Sequence, residues 1–363
     1  YSIAYTSRGC VRTCGFCLSP ETKVLMKDFT AKKIEEIKVG DRVIGLGKRK
    51  VKEKTKYKFK ESLVLGVISK KSMAYKIKLE NNQEVVCSGN HGWLTDRGWS
   101  YTTGKMSGKG QRPYLTTNRR IRSIGEIYDY KETKEFMEGY VCGIFKGDGT
   151  IKINRPNNPR KVDFPYIRLA LADGEALERT KKYLTELDLK NLGERVFYNP
   201  KKSTHRKISG IYTQRWDNYH KINEIIKIKD NLEFKRGFVS GFFDAEGSNS
   251  GGVRIHNTNK DLISYCCECL SAFGFRYVVE DSRKCQSVRL IGGNLIRFFH
   301  IFNPAISRKW KIIGGVQKGK LKVKSIEEVG ETEMYDIETS TENYIAEGLI
   351  SHNCMVPKLE PDF

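Results

Sequence analysis

One apolar pattern occurs twice, about a hundred residues apart, and each copy ends on an acid. The copies read Val141-Cys-Gly-Ile-Phe-Lys-Gly-Asp148-Gly149 and Val239-Ser-Gly-Phe-Phe-Asp-Ala-Glu246-Gly247. Apolar runs predict helices over Phe136–Phe145 and Phe234–Phe243, each followed by polar or β-like residues. Strands over Tyr166–Ala172 and Gly252–His256 then lead into amphipathic helices over Glu175–Leu187 and Lys260–Phe273. The order helix, strands, helix occurs twice, which argues for an internal duplication and constrains the middle of the chain to a two-fold α/β domain.

The flanks read differently. Short apolar or alternating runs predict strands at Thr22–Met26, Arg42–Leu46, Leu63–Ser69, Ala74–Leu79 and Glu84–Ser88. Lys48–Lys60 is a basic hairpin or loop, and Gly104–Pro113 is a linker. β character returns at Leu321–Val329, Glu333–Thr339, Tyr344–Ala346 and Leu349–Ser351. The chain therefore reads as a β domain interrupted by an α/β domain, an arrangement that a surface loop tolerates.

The net charge is +22, which suits either a polyanionic partner or a Lys-rich solvated surface. No stretch is long and apolar enough for a membrane span. The start lacks the apolar core of a signal peptide and lacks Met, so the chain reads as a cytoplasmic piece of a longer protein. The ten Cys do not have the spacing of a small disulfide scaffold and are expected to be reduced. Cys87, Cys142, Cys266, Cys267, Cys269 and Cys285 read as plain core or surface thiols.

Chemistry concentrates at two edges. Cys17 opens one β segment, and His352-Asn353-Cys354 closes the last. A thiol can attack the preceding carbonyl and turn an amide into a thioester. An Asn side chain can attack the following peptide bond and form a succinimide. Neither occurs on an unstrained, resonance-stabilised amide, so a fold must supply strain, oxyanion contacts and proton transfer. The residues Cys17-Leu-Ser-Pro-Glu-Thr with Val39-Gly-Asp-Arg-Val43, Ser88-Gly-Asn-His91, Met334-Tyr-Asp-Ile-Glu338 and Asn343-Tyr-Ile-Ala-Glu-Gly-Leu-Ile-Ser-His-Asn353-Cys354 closely resemble the splicing blocks of inteins.

That resemblance implies roles. Cys17 would form a thioester with Phe16, and His91 would hydrogen-bond the Phe16–Cys17 peptide nitrogen and protonate it. Ser88, standing where the family has Thr, and Asn90 would support the tetrahedral intermediate. Cys354 would take the acyl group, Asp336 would handle a thiol proton, and Asn353 would cyclise with help from His352. No cofactor is implied for splicing, and the partners are the flanking segments. Glu342 stands where the family often has His.

Joining residues 1–16 to 354–363 would place Cys10, Cys14 and Cys354 in a Cys-x-x-x-Cys-x-x-Cys spacing. This resembles radical S-adenosylmethionine enzymes and implies a 4Fe-4S cluster and S-adenosylmethionine for the joined product. Before joining, Cys17 occupies the third position, so a disulfide or shared metal with Cys10 or Cys14 would hold the nucleophile back.

The duplicated motifs resemble those of LAGLIDADG homing endonucleases. The resemblance implies that small residues Cys142, Gly143, Ser240 and Gly241 let two helices pack, bringing Asp148 and Glu246 together to bind Mg2+ or Mn2+ and cut double-stranded DNA. Lys146 replaces an acid common in the family. Lys309 and Lys311 are candidates for a catalytic Lys. Arg160, Lys161, Lys201, Lys202, Arg254, Arg276 and Arg289 are candidates to face DNA.

The expected fold is mixed: an all-β Hedgehog/intein horseshoe at 17–118 and 313–353, split by an endonuclease at 119–312, in a monomer. Three other readings stand beside this one: a splicing element whose endonuclease only binds DNA, an iron–sulfur enzyme with a regulatory insertion, and a basic DNA-binding module. The first lacks metal-dependent cutting, the second has no need of His-Asn-Cys at its edge, and the third leaves Asp148 and Glu246 without a reason.

Overall fold

The computed structural model describes residues 16–51, 54–104, 112–155, 162–201, 206–281, 285–292 and 295–353. Cys10, Cys14, Cys354, Arg160, Lys161 and Lys202 lie outside them. The chain divides into two compact units, Tyr1–Tyr130 with Ile312–Phe363, and Lys131–Lys311.

The first unit is β. Its 11-stranded sheet runs in the order Ala31–Lys33, Lys23–Leu25, Asn343–Ala346, Leu349–His352, Gly92–Thr95, Arg120–Arg122, Lys320–Thr339, Lys54–Leu79, Arg42–Val51. Glu84–Ser88 and Gly98–Tyr101 pair onto it from the side. The segments expected at Leu63–Ser69 and Ala74–Leu79 are one strand, and so are those at Leu321–Val329 and Glu333–Thr339. They pair antiparallel along most of their length, so the polar residues between the apolar runs continue a ladder and do not turn. The core gathers Leu18, Val24, Val43, Ile77, Trp93, Ile337 and Tyr344. The domain boundary expected at residue 119 falls later, because Arg120–Arg122 pairs with Lys320–Lys322 and belongs to the β unit.

The second unit repeats one αββαββα plan. Helix α1 (Lys134–Asp148) leads into strands Gly149–Asn154 and Phe164–Leu171, α2 (Gly174–Glu186), strands Gly193–Tyr198 and Ile208–Thr213, and α3 (Trp216–Ile225). Helix α4 (Leu232–Glu246) leads into Gly247–Ser248 and Arg254–Asn257, α5 (Lys260–Ala272), Tyr277–Asp281 and Gln286–Leu290, and α6 (Leu295–Phe302). Each half closes a four-stranded antiparallel sheet. Both motif helices are capped alike: Thr133 accepts from the Phe136 N–H and Asn231 from the Phe234 N–H, satisfying one orphan donor in each first turn.

Candidate functional site

In the β unit, Leu18 pairs with Tyr335 on one side and Cys87 on the other. Its N–H donates to the Tyr335 carbonyl at 2.7 Å and the Tyr335 N–H donates back at 2.8 Å. This register sets Cys17 opposite Asp336. Cys17 is 1% exposed. Burial, the Asp336 carboxylate after it, pushes its thiol up to about 12 against a smaller pull from Lys70. The sulfur therefore stays protonated and needs a base. Asp336 is buried as well, and its charge reaches the thiol.

The Cys17 N–H donates to Ser88 Oγ at 3.0 Å. The expected bond from His91 to this nitrogen is absent: His91 Nε2 meets Ser351 Oγ at 2.8 Å, because Leu349–His352 runs beside Gly92–Thr95. The Phe16 backbone is near enough to the His91 ring to favour its charged form, but no hydrogen bond of ordinary geometry reaches Nδ1 among the described residues. Full burial lowers the imidazole to about 3; the Phe16 contact opposes this. Asn90 departs from its expected place, since its side chain is exposed and accepts from Arg112 Nη2 at 2.6 Å. Ser88 is thus the side chain of this turn that holds the junction.

The other edge lies in the same unit. Asn353 is 1% exposed, and its side-chain amide lies between the Glu342 carbonyl and the Thr339 N–H; assigned so that both are satisfied, its nitrogen donates to the former at 2.6 Å and its oxygen accepts from the latter at 2.5 Å. Glu342 adopts a left-handed φ of 60°, which turns the carbonyl toward Asn353. Its carboxylate favours the charged form of His352, while burial, the larger effect, disfavours it. His352 Nδ1 contacts the Asn353 carbonyl at 2.6 Å, and its ring stacks on Phe16 with centroids 5.8 Å apart. Gly92 leaves room for both: a Cβ there would stand 3.1 Å from His352 Cβ and 3.7 Å from Phe16. A recess of about 210 Å³ lined by Lys48, Lys60, Trp99 and Glu342 opens onto His352. Thr339, Tyr344 and Ser351 were not singled out in the sequence; hydroxyls in short alternating strands read there as ordinary pairing residues.

In the second unit, α1 and α4 pack backbone to backbone. A Cβ on Gly139 or Gly143 would sit 2.1 or 2.3 Å from the Phe234 or Phe238 carbonyl oxygen. One on Gly237 or Gly241 would sit 2.0 or 2.1 Å from that of Phe136 or Tyr140. The close seam therefore runs through glycines four apart, one helical turn. Cys142 and Ser240, expected on it, face elsewhere, toward the Ile226 and Asn303 carbonyls.

This seam brings the ends of the motif helices together. Gly147 abuts Ala245 and Glu246. Burial raises Asp148. Burial, then the Asp148 charge, raises Glu246, whereas an Asn257 amide bond at 2.8 Å and Lys309 lower it. Two partly desolvated carboxylates that repel one another suit a shared divalent cation, with waters or phosphate oxygens completing its shell. No group of three or more His, Cys, Asp or Glu side chains fit to hold a metal occurs among the described residues. Lys309 is buried, and its Nζ donates to the Phe243 and Asp244 carbonyls at 2.9 and 2.6 Å, capping the negative end of α4. Burial lowers its pKa, and its charge reaches both acids. Lys311 is exposed. Lys146 is exposed near the end of α1.

Of the expected DNA-facing residues, Lys201 and Arg276 are exposed. Arg254 and Arg289 are partly neutralised by Glu280 at 3.8 and 2.6 Å. The alternation of Tyr166, Arg168 and Ala170 with buried Pro165, Ile167 and Leu169 also marks a face carrying Lys152 over Tyr166 and Arg168 with Arg195 around Phe197.

The family model described as "LAGLIDADG-like domain" matches residues 233–300. An uncharacterized protein of Methanocaldococcus jannaschii is 27% identical over 187 residues, 47% of this chain and 68% of that protein. A DNA polymerase of Thermococcus aggregans is 22% identical over 381 residues, 94% of this chain; the chain spans only 20% of the polymerase. The solved structure of I-DmoI in complex with DNA and Mn is 17% identical, with a TM-score of 0.40, over 47% of this chain and 97% of that one. The Ssp DnaB mini-intein variant M86 is 10% identical, with a TM-score of 0.36, over 96% and 99%. Residues 233–300 thus carry a LAGLIDADG-like domain.

Proposed function

We propose that the chain is an unspliced intein of the Hedgehog/intein fold, spanning Cys17–Asn353, with a homing endonuclease inserted in it. The carrying observation is that one β unit buries Cys17 opposite Asp336, rests Ser88 Oγ on the Cys17 N–H, and holds the Asn353 amide between Glu342 and Thr339.

The chemistry follows from the contacts. Asp336 takes the proton of a thiol that burial keeps from ionising unaided, and the sulfur attacks the Phe16 carbonyl. Ser88 steadies the nitrogen that leaves. Cys354 accepts the acyl group, and the Asn353 amide nitrogen attacks its own backbone carbonyl, freeing the segment. His352, against that carbonyl, supports the developing charge. An acyl shift then leaves a Phe16–Cys354 peptide, and Cys10, Cys14 and Cys354 in the product would hold a 4Fe-4S cluster that binds S-adenosylmethionine.

Asp148 and Glu246 would hold Mg2+ or Mn2+, which when bound supplies Lewis-acid stabilisation of a phosphodiester. The basic faces would grip the phosphates of double-stranded DNA spanning the intein-free joint.

Intact-mass measurement of the chain before and after reductant tests splicing. Release of residues 17–353 with ligation of 1–16 to 354–363 is expected, and an unchanged mass under every condition sinks the splicing reading. Cleavage of a duplex carrying the joined coding sequence, with Mg2+ and with chelator, tests the endonuclease. Asp148→Asn and Glu246→Gln are each expected to abolish cutting while retaining binding; cutting by both variants at the parent rate would refute the carboxylate assignment.

A further inference from the structure

The side chain of the residue before Cys17 has a seat of its own. Three neighbouring strands, Leu349–His352, Gly92–Thr95 and Gly98–Tyr101, run antiparallel in that order. Gly92 pairs with Tyr101 on one side. On the other, the pairing of Ser351 with Trp93 sets His352 across from it. A ring thus stands on each outer strand, and no side chain stands between them. A Cβ on Gly92 would come within 3.1 Å of His352 Cβ and 3.7 Å of Phe16 Cε1, so the gap depends on glycine at this position.

The Phe16 ring fills the gap. Its centroid lies 5.9 Å from that of Tyr101, with the planes 29° apart. It lies 5.8 Å from that of His352, with the planes 28° apart. Both are stacked pairs at the separation that favourable ring pairs adopt. Each wall has a second contact of its own. The Arg112 guanidinium packs over the Tyr101 ring at 4.2 Å, and the Thr103 carbonyl and Asn90 Oδ1 hold it at 3.1 and 2.6 Å. Trp99 meets the His352 ring in a T-shaped contact at 4.5 Å. The walls are therefore fixed by the β unit as well as by the ring between them.

We infer that Tyr101, Gly92 and His352 form a slot that recognises a planar aromatic side chain at residue 16, and that seating this side chain aims the Phe16 carbonyl for attack by Cys17. The slot rests on the splicing reading, and its test separates the two. The carbonyl carbon is bonded to the Cα that carries the ring. Holding the ring restricts the rotations that would turn the carbonyl away from the thiol. A leucine of similar bulk fills the gap without stacking on either wall. The element is accordingly selective for insertion points preceded by an aromatic residue.

One wall of the slot is the imidazole whose Nδ1 contacts the Asn353 carbonyl. A single occupant thus bears on both edges of the segment. Tyr101 acts through Phe16 and is a positioning residue.

In the full chain, thiol-induced release of residues 1–16 reports thioester formation. Phe16→Tyr is expected to keep most of the parent rate. Phe16→Leu and Phe16→Ala are expected to slow release at least ~5-fold, which two ring pairs of ordinary strength supply. Tyr101→Phe keeps the wall and is expected to match the parent, whereas Tyr101→Leu is expected to slow release ~2–10-fold, the loss of one ring pair. Added to Phe16→Ala, Tyr101→Leu is expected to cost little more, because both remove the same contact. Fully additive losses, or equal rates for Phe16→Tyr, Phe16→Leu and Phe16→Ala, overturn the slot and leave splicing standing. No release from the parent overturns both. If Tyr101→Leu melts early, the Phe16 series decides, since residue 16 lies outside the strands.

Discussion

Burial sets the protonation state of nearly every residue that matters. His91 would bind a proton near pH 6.5 when unfolded but resists it to about 3 when folded. The unfolded chain therefore holds more protons in that interval, and stability falls as pH drops from 6.5 toward 3. Chemical denaturation across that range is expected to show the loss, and His91→Gln is expected to flatten it. Glu246 behaves oppositely. Its folded pKa is raised, so its contribution is fully present below about 4.5 and is lost as pH rises through the folded value. At neutral pH its charge is a burden on the metal-free protein, so Glu246→Gln is expected to raise the melting temperature by a few degrees even as cutting disappears. A lower melting temperature would contradict the repulsion described for the pair. Asp148, Glu246, Cys17 and Asn353 were legible in the sequence because each stands in a motif or at its edge. Tyr344 and Ser351 were not, because only the strand register reveals what their hydroxyls meet.

At the scale of elements, the α1–α4 seam depends on the absence of side chains. Gly241→Val would press a branched side chain into the Tyr140 carbonyl, with an expected cost of about 1–3 kcal/mol or more. Gly174→Ala, where a Cβ meets nothing within 4 Å, is expected to be neutral or stabilising by up to ~1 kcal/mol. Denaturant titration of both variants checks the contrast; equal effects would mean that the seam is looser than described. Helices α1, α2, α4 and α5 were readable from apolar runs and amphipathic spacing. Helix α3 was missed because its ten residues carry few apolar positions, and α6 because Leu295–Phe302 is apolar almost throughout and shows no stripe. The long ladder was read as fragments because Lys70, Lys71 and Ser72 interrupt its apolar runs without interrupting its hydrogen bonds.

For the molecule as a whole, the surplus of 22 positive charges sets how DNA binding responds to salt. A footprint of 6–10 phosphates predicts weakening of roughly 10³–10⁵-fold between 50 and 200 mM salt, measurable by titration with a labelled duplex. A flat response would point to contacts other than phosphates. The no-membrane expectation meets one related fact: no helix among the described residues is long and apolar enough to cross a bilayer. The pairing of Leu18 with Tyr335 also has a consequence in time. During synthesis the chain must grow by more than three hundred residues after Leu18 before its partner exists. At ribosomal speeds that interval is roughly 15–60 s, and the middle unit can fold within it. Cys17 is made early but its surroundings are made late, so on the splicing reading proposed above translation itself would delay the first cleavage until Lys320–Thr339 has emerged.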